Sequence, residues 1–518
     1  MDSGFVHSFL DDAASAVPES SAIRDSTGVW NYSQLDRHSH DFARWLEKQG
    51  VRHGDRVLTQ LPTTRELAAI FYGTSRRGAV FVPVNAAMKR YHLEAVLENS
   101  EPRLIIVADQ LVDDMREITR VPVHGIAEVW NDLRTAPRQT TSADPTTPAI
   151  PATSTTPATA TTPATRPAPG DVAVLVYTSG STAAPKAVVC PHAQMVFATR
   201  AIAAEIEYRP DDVIFCRFPI SWDYGLYKVL LACLGRSELV LADGESDLVL
   251  LRRIRETGAT VVPIVPSLAA MITALAKRDT EPAPRVRMFT NTGAALSPAT
   301  VGALRAAFPG AQVIRQFGQT ECKRISVLPP EMEREKPDSV GRPLPGTRVL
   351  ILDEDGVPVP TGQTGEIVVT GPHVMPGYWR APELTRRTFR RDGEDGQPRL
   401  HTGDYGRLDD DGYLYYEGRR DDMFKRKGIR MSTIEIEAAA TDIPGVRAAA
   451  VLPPADGRDL TLFAETELPP HTVLRELAKR LEAQKVPAVC RTVAEMPLTP
   501  HGKNAKQELA LLVDGSAR

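Results

Sequence analysis

Cysteine, surplus basic charge and long apolar runs are all in short supply in this chain of 518 residues. The five cysteines are scattered, with no CxxC pair and no histidines at metal-ligand spacing, which argues against a disulfide scaffold or a zinc site. We therefore expect free thiols in a reducing cytoplasm. The formal net charge is −4, without the basic surplus that binding to nucleic acid requires. No run of about 18 apolar residues occurs, so we expect no membrane span, and the acidic start of the chain is unlike a secretory signal.

The chain does have length and a regular alternation of short apolar strands with amphipathic helices. Residues 33–49 and 65–76 carry helical spacing, whereas 55–60 and 79–84 have the pattern of strands. Helices between short strands predict an α/β fold with helices on both faces of a sheet. Because a single core stops growing at about 250–300 residues, at least two domains are expected.

The pattern changes further along the chain. Beyond residue 341, short strands with glycine turns predict a β-rich subdomain, and residues 420–518 predict a small α+β unit of their own. We therefore predict a large N-terminal domain over 1–419 and a C-terminal domain over 420–518. Residues 137–170, almost all Pro, Thr, Ala and Ser, interrupt the first domain. Such a segment buries too little apolar surface to fold, so we expect a disordered insert.

A loop rich in small hydroxyl residues directly follows the predicted strand 172–176. Its sequence, YTSGSTAAPK over residues 177–186, can direct backbone N–H groups toward phosphate oxygens, and Lys186 adds a positive charge. The spacing is not that of the GxxxxGK[ST] loop of nucleotide kinases. In isolation, such a cluster is more often an ordinary loop than a binding site.

This loop resembles the signature loop of the adenylate-forming superfamily, which includes acyl-CoA synthetases, peptide-synthetase adenylation domains and luciferases. Ala183 and Ala187 stand where that family usually has glycine, and alanine is tolerated unless the backbone needs a positive φ or a close approach. These two departures are the only support for an alternative, a non-catalytic nucleotide-binding relic. Further motifs similar to those of the family follow in the family's order, at 291–295, 316–321, 402–404, 418–421 and 498–503.

The resemblance implies an ATP site and assigns residues to it. The residues that would contact ATP or AMP are Thr178, Ser179, Gly180, Ser181, Thr182, Gly293, Ala294, Ala295, Gln316, Phe317, Gly318, Asp404 and Arg419. Phe317 would stack on adenine, and Asp404 would accept hydrogen bonds from the ribose hydroxyls. The implied catalytic residues are Lys186, Thr320, Glu321 and Lys503. Glu321 would hold Mg²⁺, and Lys503 would reach the carboxylate and the α-phosphate as charge builds up.

The same resemblance implies a reaction in two halves. A carboxylate attacks the α-phosphorus of ATP and releases pyrophosphate; the C-terminal domain, a mobile lid, then rotates about a hinge at Asp421. The acyl group passes to a thiol. Because no carrier domain follows in this sequence, we expect that thiol to belong to CoA or to a separate carrier protein. A nitrogen nucleophile in specialised metabolism is the alternative acceptor.

The segment PISWDYGL at 219–226 leaves the acid open. One alignment places Trp222 and Gly225 beside an acyl or aryl group, as in acyl-CoA synthetases. The other places Asp223 against the ammonium of an amino acid, as in peptide-synthetase domains, and a buried carboxylate without a cation would be costly. Since the DYGL form is similar to that of standalone acyl ligases, we favour an acyl or aryl acid, with a standalone amino-acid adenylating enzyme as the alternative.

Overall fold

The computed structural model describes residues 4–135, 167–178, 186–242, 244–294, 296–391, 396–419, 423–426, 429–455, 458–481, 485–498 and 504–514. These residues form a mixed α/β structure, as predicted, whose strands and helices are numbered here in chain order. The strands are β1 (Ser21–Asp25), β2 (Gly28–Asn31), β3 (Arg56–Gln60), β4 (Val80–Val84), β5 (Leu104–Val107), β6 (Val123–Gly125), β7 (Val172–Thr178), β8 (Lys186–Pro191), β9 (Val213–Cys216), β10 (Glu238–Leu241), β11 (Val261–Ile264), β12 (Met288–Asn291), β13 (Gln312–Phe317), β14 (Ser326–Leu328), β15 (Arg342–Pro343), β16 (Arg348–Leu352), β17 (Gly365–Thr370), β18 (Phe389–Arg390), β19 (Arg399–Leu408), β20 (Leu414–Arg419), β21 (Met423–Arg426), β22 (Ile429–Ser432), β23 (Val446–Leu452), β24 (Thr461–Thr466) and β25 (Val489–Val493).

The α-helices lie between and over these strands. They are α1 (Ser8–Ala16), α2 (Tyr32–Lys48), α3 (Arg65–Arg76), α4 (Arg90–Ser100), α5 (Val112–Ile118), α6 (Ile126–Thr135), α7 (His192–Glu205), α8 (Asp223–Gly235), α9 (Leu250–Glu256), α10 (Pro266–Ala276), α11 (Pro298–Ala307), α12 (Pro382–Thr388), α13 (Thr433–Thr441), α14 (Pro470–Leu477) and α15 (Lys506–Asp514). None of these helices combines the length and the apolar character that crossing a bilayer would need.

Two large sheets carry the first part of the chain. One has nine strands in the order β15-β14-β13-β12-β11-β9-β10-β1-β2, and the other has six in the order β6-β5-β3-β4-β7-β8. Most neighbours in both sheets run parallel, with antiparallel pairs at the edges. One large apolar core draws residues from Val6 to Leu414 and joins the two sheets, and a second cluster covers the other face of the six-stranded sheet.

The predicted β-rich subdomain is a five-stranded sheet in the order β16-β17-β19-β18, with β20 beside β19. β19 is longer than the sequence predicts, because it begins at Arg399 and includes residues 402–404. The alternating pattern of the sequence predicts only a short strand at 406–408. Residues 402–404 lie within β19 as an irregularity in the β17–β19 register.

The end of the chain builds apolar cores of its own. Two clusters consist only of buried residues between Ile436 and Leu509, on the sheet β23-β24-β25 and its helices. An independent domain needs a core of its own, and these residues have one. The boundary between the two domains at 419/420 remains our prediction. The helix predicted over 472–484 is shorter, since α14 ends at Leu477.

The predicted insert at 137–170 differs from the structure at one end. Residues 137–166 lie outside the described part of the chain. Residues 167–170 are described and form an ordered turn, in which the carbonyl oxygen of Pro169 accepts a hydrogen bond from the N–H of Ala193 at 2.8 Å. Residues 167–170 are therefore ordered, although their composition is that of the predicted insert, because a backbone hydrogen bond to α7 holds them.

Candidate active site

Three groups of predicted site residues follow parallel strands of the nine-stranded sheet. β9, β12 and β13 are parallel, and their carboxyl ends lead into residues 217–223, 292–294 and 318–325. In open α/β sheets, ligands bind at the carboxyl ends of the strands. The motifs at 219–226, 291–295 and 316–321 therefore meet at one edge of the sheet, although they are far apart in the sequence.

The turn between β13 and β14 shapes the centre of this edge. A Cβ at Gly318 would lie 2.6 Å from the carbonyl oxygen of Lys323, so only glycine allows the chain to fold back this closely. The N–H of Ile325 donates to the carbonyl of Phe317 at 2.8 Å and closes the turn. Lys323 has φ +65°, an uncommon conformation for lysine. The turn thus places Lys323 and Arg324 directly beside the predicted phosphate and magnesium residues.

Lys186, Glu321 and Tyr378 form a hydrogen-bonded triangle. Nζ of Lys186 lies 3.2 Å from Oε1 of Glu321 and 3.1 Å from the hydroxyl of Tyr378. That hydroxyl donates to the same Oε1 at 2.6 Å. Burial and the adjacent Glu321 raise the pKa of Tyr378, so the hydroxyl keeps its proton. Two predicted catalytic residues from different sheets therefore lie in contact, with Tyr378 holding both.

The carboxylate of Glu321 suits the magnesium ion that the family resemblance implies. Glu321 is 6% exposed, and its two side-chain partners among the described residues, Lys186 and Tyr378, both contact Oε1. A hard carboxylate oxygen is a ligand that Mg²⁺ prefers beside phosphates. Glu321 would hold the ion, which would neutralise charge on the phosphates; Thr320, half-buried and adjacent, fits the proposed contact with the α-phosphate.

The residue predicted to stack on adenine, Phe317, and the residue predicted to bind the ribose, Asp404, each have a close side-chain neighbour. The Phe317 ring centroid is 5.2 Å from that of Tyr416, a residue that the motifs do not include. Nε of Arg419 is 3.3 Å from Oδ1 of Asp404, and the two residues stand opposite each other on β19 and β20. Asp404 is 6% exposed. The sheet pairing thus fixes this carboxylate beside a cation.

Several buried polar atoms around this edge have no hydrogen-bond partner within the described ranges. These atoms are Oγ1 of Thr178, Oδ1 of Asn291, Nε2 of Gln316, Nε2 of Gln319 and Nε of Arg324. Native proteins satisfy most buried polar groups, so a cluster of unsatisfied ones calls for an explanation. A polar ligand that contacts the strand ends accounts for their position, and the predicted nucleotide residues Thr178 and Gln316 belong to the set.

Asp223 has an internal cation as its partner. Oδ1 of Asp223 lies 2.6 Å from Nζ of Lys323, which also donates to Sγ of Cys190 at 3.2 Å. Burial disfavours the charged form of Lys323, but Asp223 and Cys190 outweigh it, so the pKa of Lys323 is raised. The argument that Asp223 needs a substrate ammonium to balance it is therefore wrong as it stands: the protein supplies the cation itself.

Arg324 adds a second buried cation to this cluster. It is 6% exposed, and its NH1 donates to Oγ1 of Thr292 at the end of β12. Burial lowers the pKa of its guanidinium, against the opposing effects of Tyr224 and Asp223, but arginine stays charged in proteins. One carboxylate and two cations thus surround the predicted acid pocket. Sequence reasoning missed both cations, although they follow the 316–321 motif directly.

The other two predicted pocket residues contribute to packing. A Cβ at Gly225 would lie 2.1 Å from the carbonyl oxygen of Pro219, so glycine allows α8 to start tightly against the preceding loop. Trp222 precedes α8 and is half-buried. Gly293 and Ala294 follow β12, where the Asn291 amide donates to the Ala294 carbonyl at 2.8 Å. Cys322, expected in the pocket wall, is fully buried.

Some predicted residues fall outside the described part of the chain. They are Ser179, Gly180, Ser181, Thr182, Ala295, Asp421 and Lys503. Their roles remain predictions.

The chain matches the AMP-binding enzyme family over residues 10–379 and belongs to this family. The sulfoacetate–CoA ligase of Cupriavidus necator is 30% identical to it, over 94% of this chain and 93% of that protein. A plipastatin synthase polypeptide of Bacillus subtilis is 27% identical over 95% of this chain, which spans only 18% of that much longer protein.

Solved structures extend the likeness. VinN is 50% identical, with a TM-score of 0.71 over 80% of this chain and 98% of that one. VinN structures in complex with L-aspartate and with 3-methylaspartate are 48% and 45% identical. ATP-bound MatB from Rhodopseudomonas palustris is 25% identical, with a TM-score of 0.85 over the whole of both chains. These findings confirm the predicted class, an AMP-forming ligase that uses ATP to activate an acid as an acyl-adenylate.

Proposed function

We propose that this enzyme adenylates an amino dicarboxylic acid related to aspartate and passes the aminoacyl group to the thiol of a pantetheine on a separate carrier protein. The observation that carries the proposal is the buried cluster of Asp223, Lys323 and Arg324. It replaces the acyl or aryl acid that the sequence favoured with the alternative of an amino acid.

The first argument is the charge of the cluster. Asp223 balances one cation only, and Lys323 and Arg324 are both buried. An unpaired buried cation is costly, so the pocket favours a substrate that brings an anionic group in addition to the carboxylate that is activated. Nε of Arg324, without a partner among the described residues, is a donor that such a group can use.

The second argument concerns the amine. The Asp223 side chain is 20% exposed, whereas that of Lys323 is 1% exposed. The carboxylate therefore faces the accessible side of the pair, where it can accept from a substrate ammonium while it still contacts Lys323. The VinN structures with L-aspartate and 3-methylaspartate support a substrate that has both an amine and a second carboxylate.

A dianionic acid without an amine is the second candidate. The internal Asp223–Lys323 pair favours it, because Asp223 does not require a substrate cation. The sulfoacetate–CoA ligase supports it as well, with CoA as the acceptor. The carrier-protein acceptor draws its support from the peptide-synthetase relatives, and five free cysteines suit a reducing, ATP-supplied cytoplasm.

The roles carried over from the family complete the proposal. Residues 178–182 and Lys186 cradle the phosphates, Phe317 stacks on adenine, and Asp404 accepts from the ribose. Lys503 neutralises charge in the first half-reaction, and the C-terminal domain then turns about Asp421. The triangle of Lys186, Glu321 and Tyr378 supports the phosphate and magnesium part of this assignment.

The experiment that tests the proposal is pyrophosphate release with ATP and Mg²⁺ over acids that differ by single groups. L-Aspartate has both extra groups, succinate and sulfoacetate lack the amine, and β-alanine lacks the second carboxylate. We expect aspartate to exceed β-alanine in kcat/KM by at least about 100-fold, since β-alanine leaves a buried cation unpaired. Equal rates with β-alanine would refute the charge argument. Faster turnover of succinate or sulfoacetate than of aspartate would establish the second candidate.

The acceptor is tested with the acid that gives the highest rate. Stoichiometric loading of a pantetheinylated carrier protein without turnover of CoA supports the proposed acceptor. The reverse result would assign CoA.

A further inference from the structure

The predicted ribose residue Asp404 lies in an irregular part of β19. In the β17–β19 pairing, Glu366 stands opposite Tyr405 and Val368 stands opposite His401. One residue of β17 between these pairs therefore faces three residues of β19, Thr402, Gly403 and Asp404. Extra residues on one strand form a bulge that redirects the side chains beside it.

This bulge depends on a left-handed glycine. Gly403 has φ +70°, a conformation that glycine adopts without strain and other residues rarely adopt. The N–H of such a residue points away from the ladder of strand hydrogen bonds. A half-buried N–H that finds no partner costs stability, so the bulge needs an acceptor from elsewhere.

Glu366 supplies that acceptor. Its Oε1 accepts from the N–H of Gly403 at 3.2 Å, and its Oε2 lies 2.9 Å from Nδ1 of His401. Burial opposes ionisation of Glu366, but the hydrogen bond and charge of His401 and the Gly403 N–H outweigh it, so the pKa of Glu366 lies below its ordinary value. A carboxylate only accepts hydrogen bonds, so Nδ1 of His401 carries the proton.

Thr402 ties the other side of the bulge to β17. Its hydroxyl donates to the carbonyl of Ile367 at 2.6 Å and accepts from the N–H of Asp404 at 3.0 Å. Glu366 and Thr402 together hold the backbone on both sides of Gly403. The direction of the Asp404 carboxylate, which Arg419 meets at 3.3 Å, therefore depends on Glu366.

We propose that Glu366 is a positioning residue for ATP binding, which acts through the Gly403 bulge to direct Asp404 at the ribose hydroxyls. This inference rests on the role proposed for Asp404. It assigns a role to Glu366, which lies in β17 outside the motifs identified in the sequence.

Calorimetric titration with ATP and with 2′-deoxyATP, in the absence of any acid, tests the inference without turnover. The parent enzyme should prefer ATP, because Asp404 accepts from the 2′-hydroxyl. Asp404→Ala, which removes the acceptor, should bring the preference close to one. Glu366→Ala should weaken ATP binding about tenfold and lose the same preference, because Asp404 is no longer held. Glu366→Gln should retain most of it, since its amide oxygen can still accept from Gly403.

Glu417→Ala is the matched control. Glu417 is also half-buried on this sheet, but its contacts with the Thr364 hydroxyl at 2.8 Å and with Nε of Arg407 at 3.3 Å do not involve residues 402–404. The Glu417→Ala variant should keep the preference for ATP at the parental value. Glu366→Asp, which withdraws the carboxylate by one methylene, replaces Glu366→Ala if the alanine variant does not fold.

Two results would overturn the inference in distinguishable ways. If Asp404→Ala keeps the parental preference, the ribose role of Asp404 is wrong, and the role of Glu366 is lost with it. If Asp404→Ala loses the preference while Glu366→Ala keeps it, the ribose role stands, and Glu366 does not act through Asp404.

Discussion

The buried pair of Asp223 and Lys323 makes an asymmetric prediction about stability. The Lys323 side chain is 1% exposed and the Asp223 side chain 20% exposed. Asp223→Asn removes the negative charge that balances the ammonium, whose other contacts are the thiol of Cys190 and the ring of Tyr227, 5.5 Å away, and we expect it to cost about 3–5 kcal/mol. Lys323→Met leaves a carboxylate that water can reach and that Arg324 attracts, so its cost should be about 1–3 kcal/mol.

Urea denaturation followed by tryptophan fluorescence measures both costs, with Trp222 next to the altered residue. The double variant Asp223→Asn, Lys323→Met should regain much of the loss, because neither charge is then left unpaired. Lys336→Met is the control: Lys336 pairs with Asp409 at 2.8 Å at the surface, where such pairs contribute little.

The relative cost in unfolding free energy of the two single variants tests whether burial governs this pair. If Asp223→Asn costs no more than Lys323→Met, burial does not govern this pair. If the double variant loses the sum of the two single costs, the two groups are not coupled. The activity of Asp223→Asn adds an independent readout: turnover of aspartate should fall by about 100-fold, whereas acids without an amine should lose far less.

Three further predictions address other groups. Lys228 is 1% exposed, and its ammonium contacts the hydroxyl of Tyr208 at 2.7 Å; burial lowers its pKa to about 7. Lys228→Met should therefore stabilise the fold, most strongly below pH 7, where the buried amine is charged. The gain in stability should shrink as pH rises toward 10.5, the ordinary pKa of lysine, because the folded parent is then neutral at this position. Thermal melts from pH 6 to 10 measure the gain, and a gain independent of pH would contradict this prediction. Tyr378→Phe removes the hydroxyl between Lys186 and Glu321. It should raise the KM for MgATP about tenfold and leave the KM for the acid unchanged. An equal rise in both KM values would show that Tyr378 contributes only to general packing. Lys503→Ala should abolish adenylation while calorimetry still detects ATP binding, and acyl-AMP formation at the parental rate would exclude its proposed role.

Local patterns in the sequence predicted the fold class well. Short apolar runs between helical repeats identified the strands, because a strand followed by a loop and a helix is encoded within about 30 residues. The β-rich subdomain was also recognisable from its glycine turns. Its detail was not, since the Gly403 N–H in the bulge at 402–404 finds its acceptor in Glu366, 37 positions away.

The acid pocket could not be predicted for a similar reason. Asp223 and Lys323 are separated by 100 positions, and no local pattern links them. Lys323 and Arg324 could have been suspected from their place after Glu321, but exposed cations are common in such loops, and only the close return of the chain over Gly318 buries them. No local pattern links Tyr378 to Glu321 either, since Tyr378 reaches it from the segment between β17 and α12.

The internal ion pair changes what a buried aspartate implies about the substrate. With Lys323 in place, Asp223 alone does not require an amine, so the informative quantity is the charge of the whole cluster. That charge is positive, because Arg324 has no carboxylate partner of its own in the described chain. A second anionic group on the substrate neutralises this excess positive charge directly, whereas a substrate amine only adds a contact to Asp223, which Lys323 already neutralises. Among acids that differ by single groups, loss of the second carboxylate should therefore cost more than loss of the amine, which gives the order aspartate, succinate, β-alanine in kcat/KM. An order in which β-alanine precedes succinate would show that Asp223, and not the surplus cation, selects the acid.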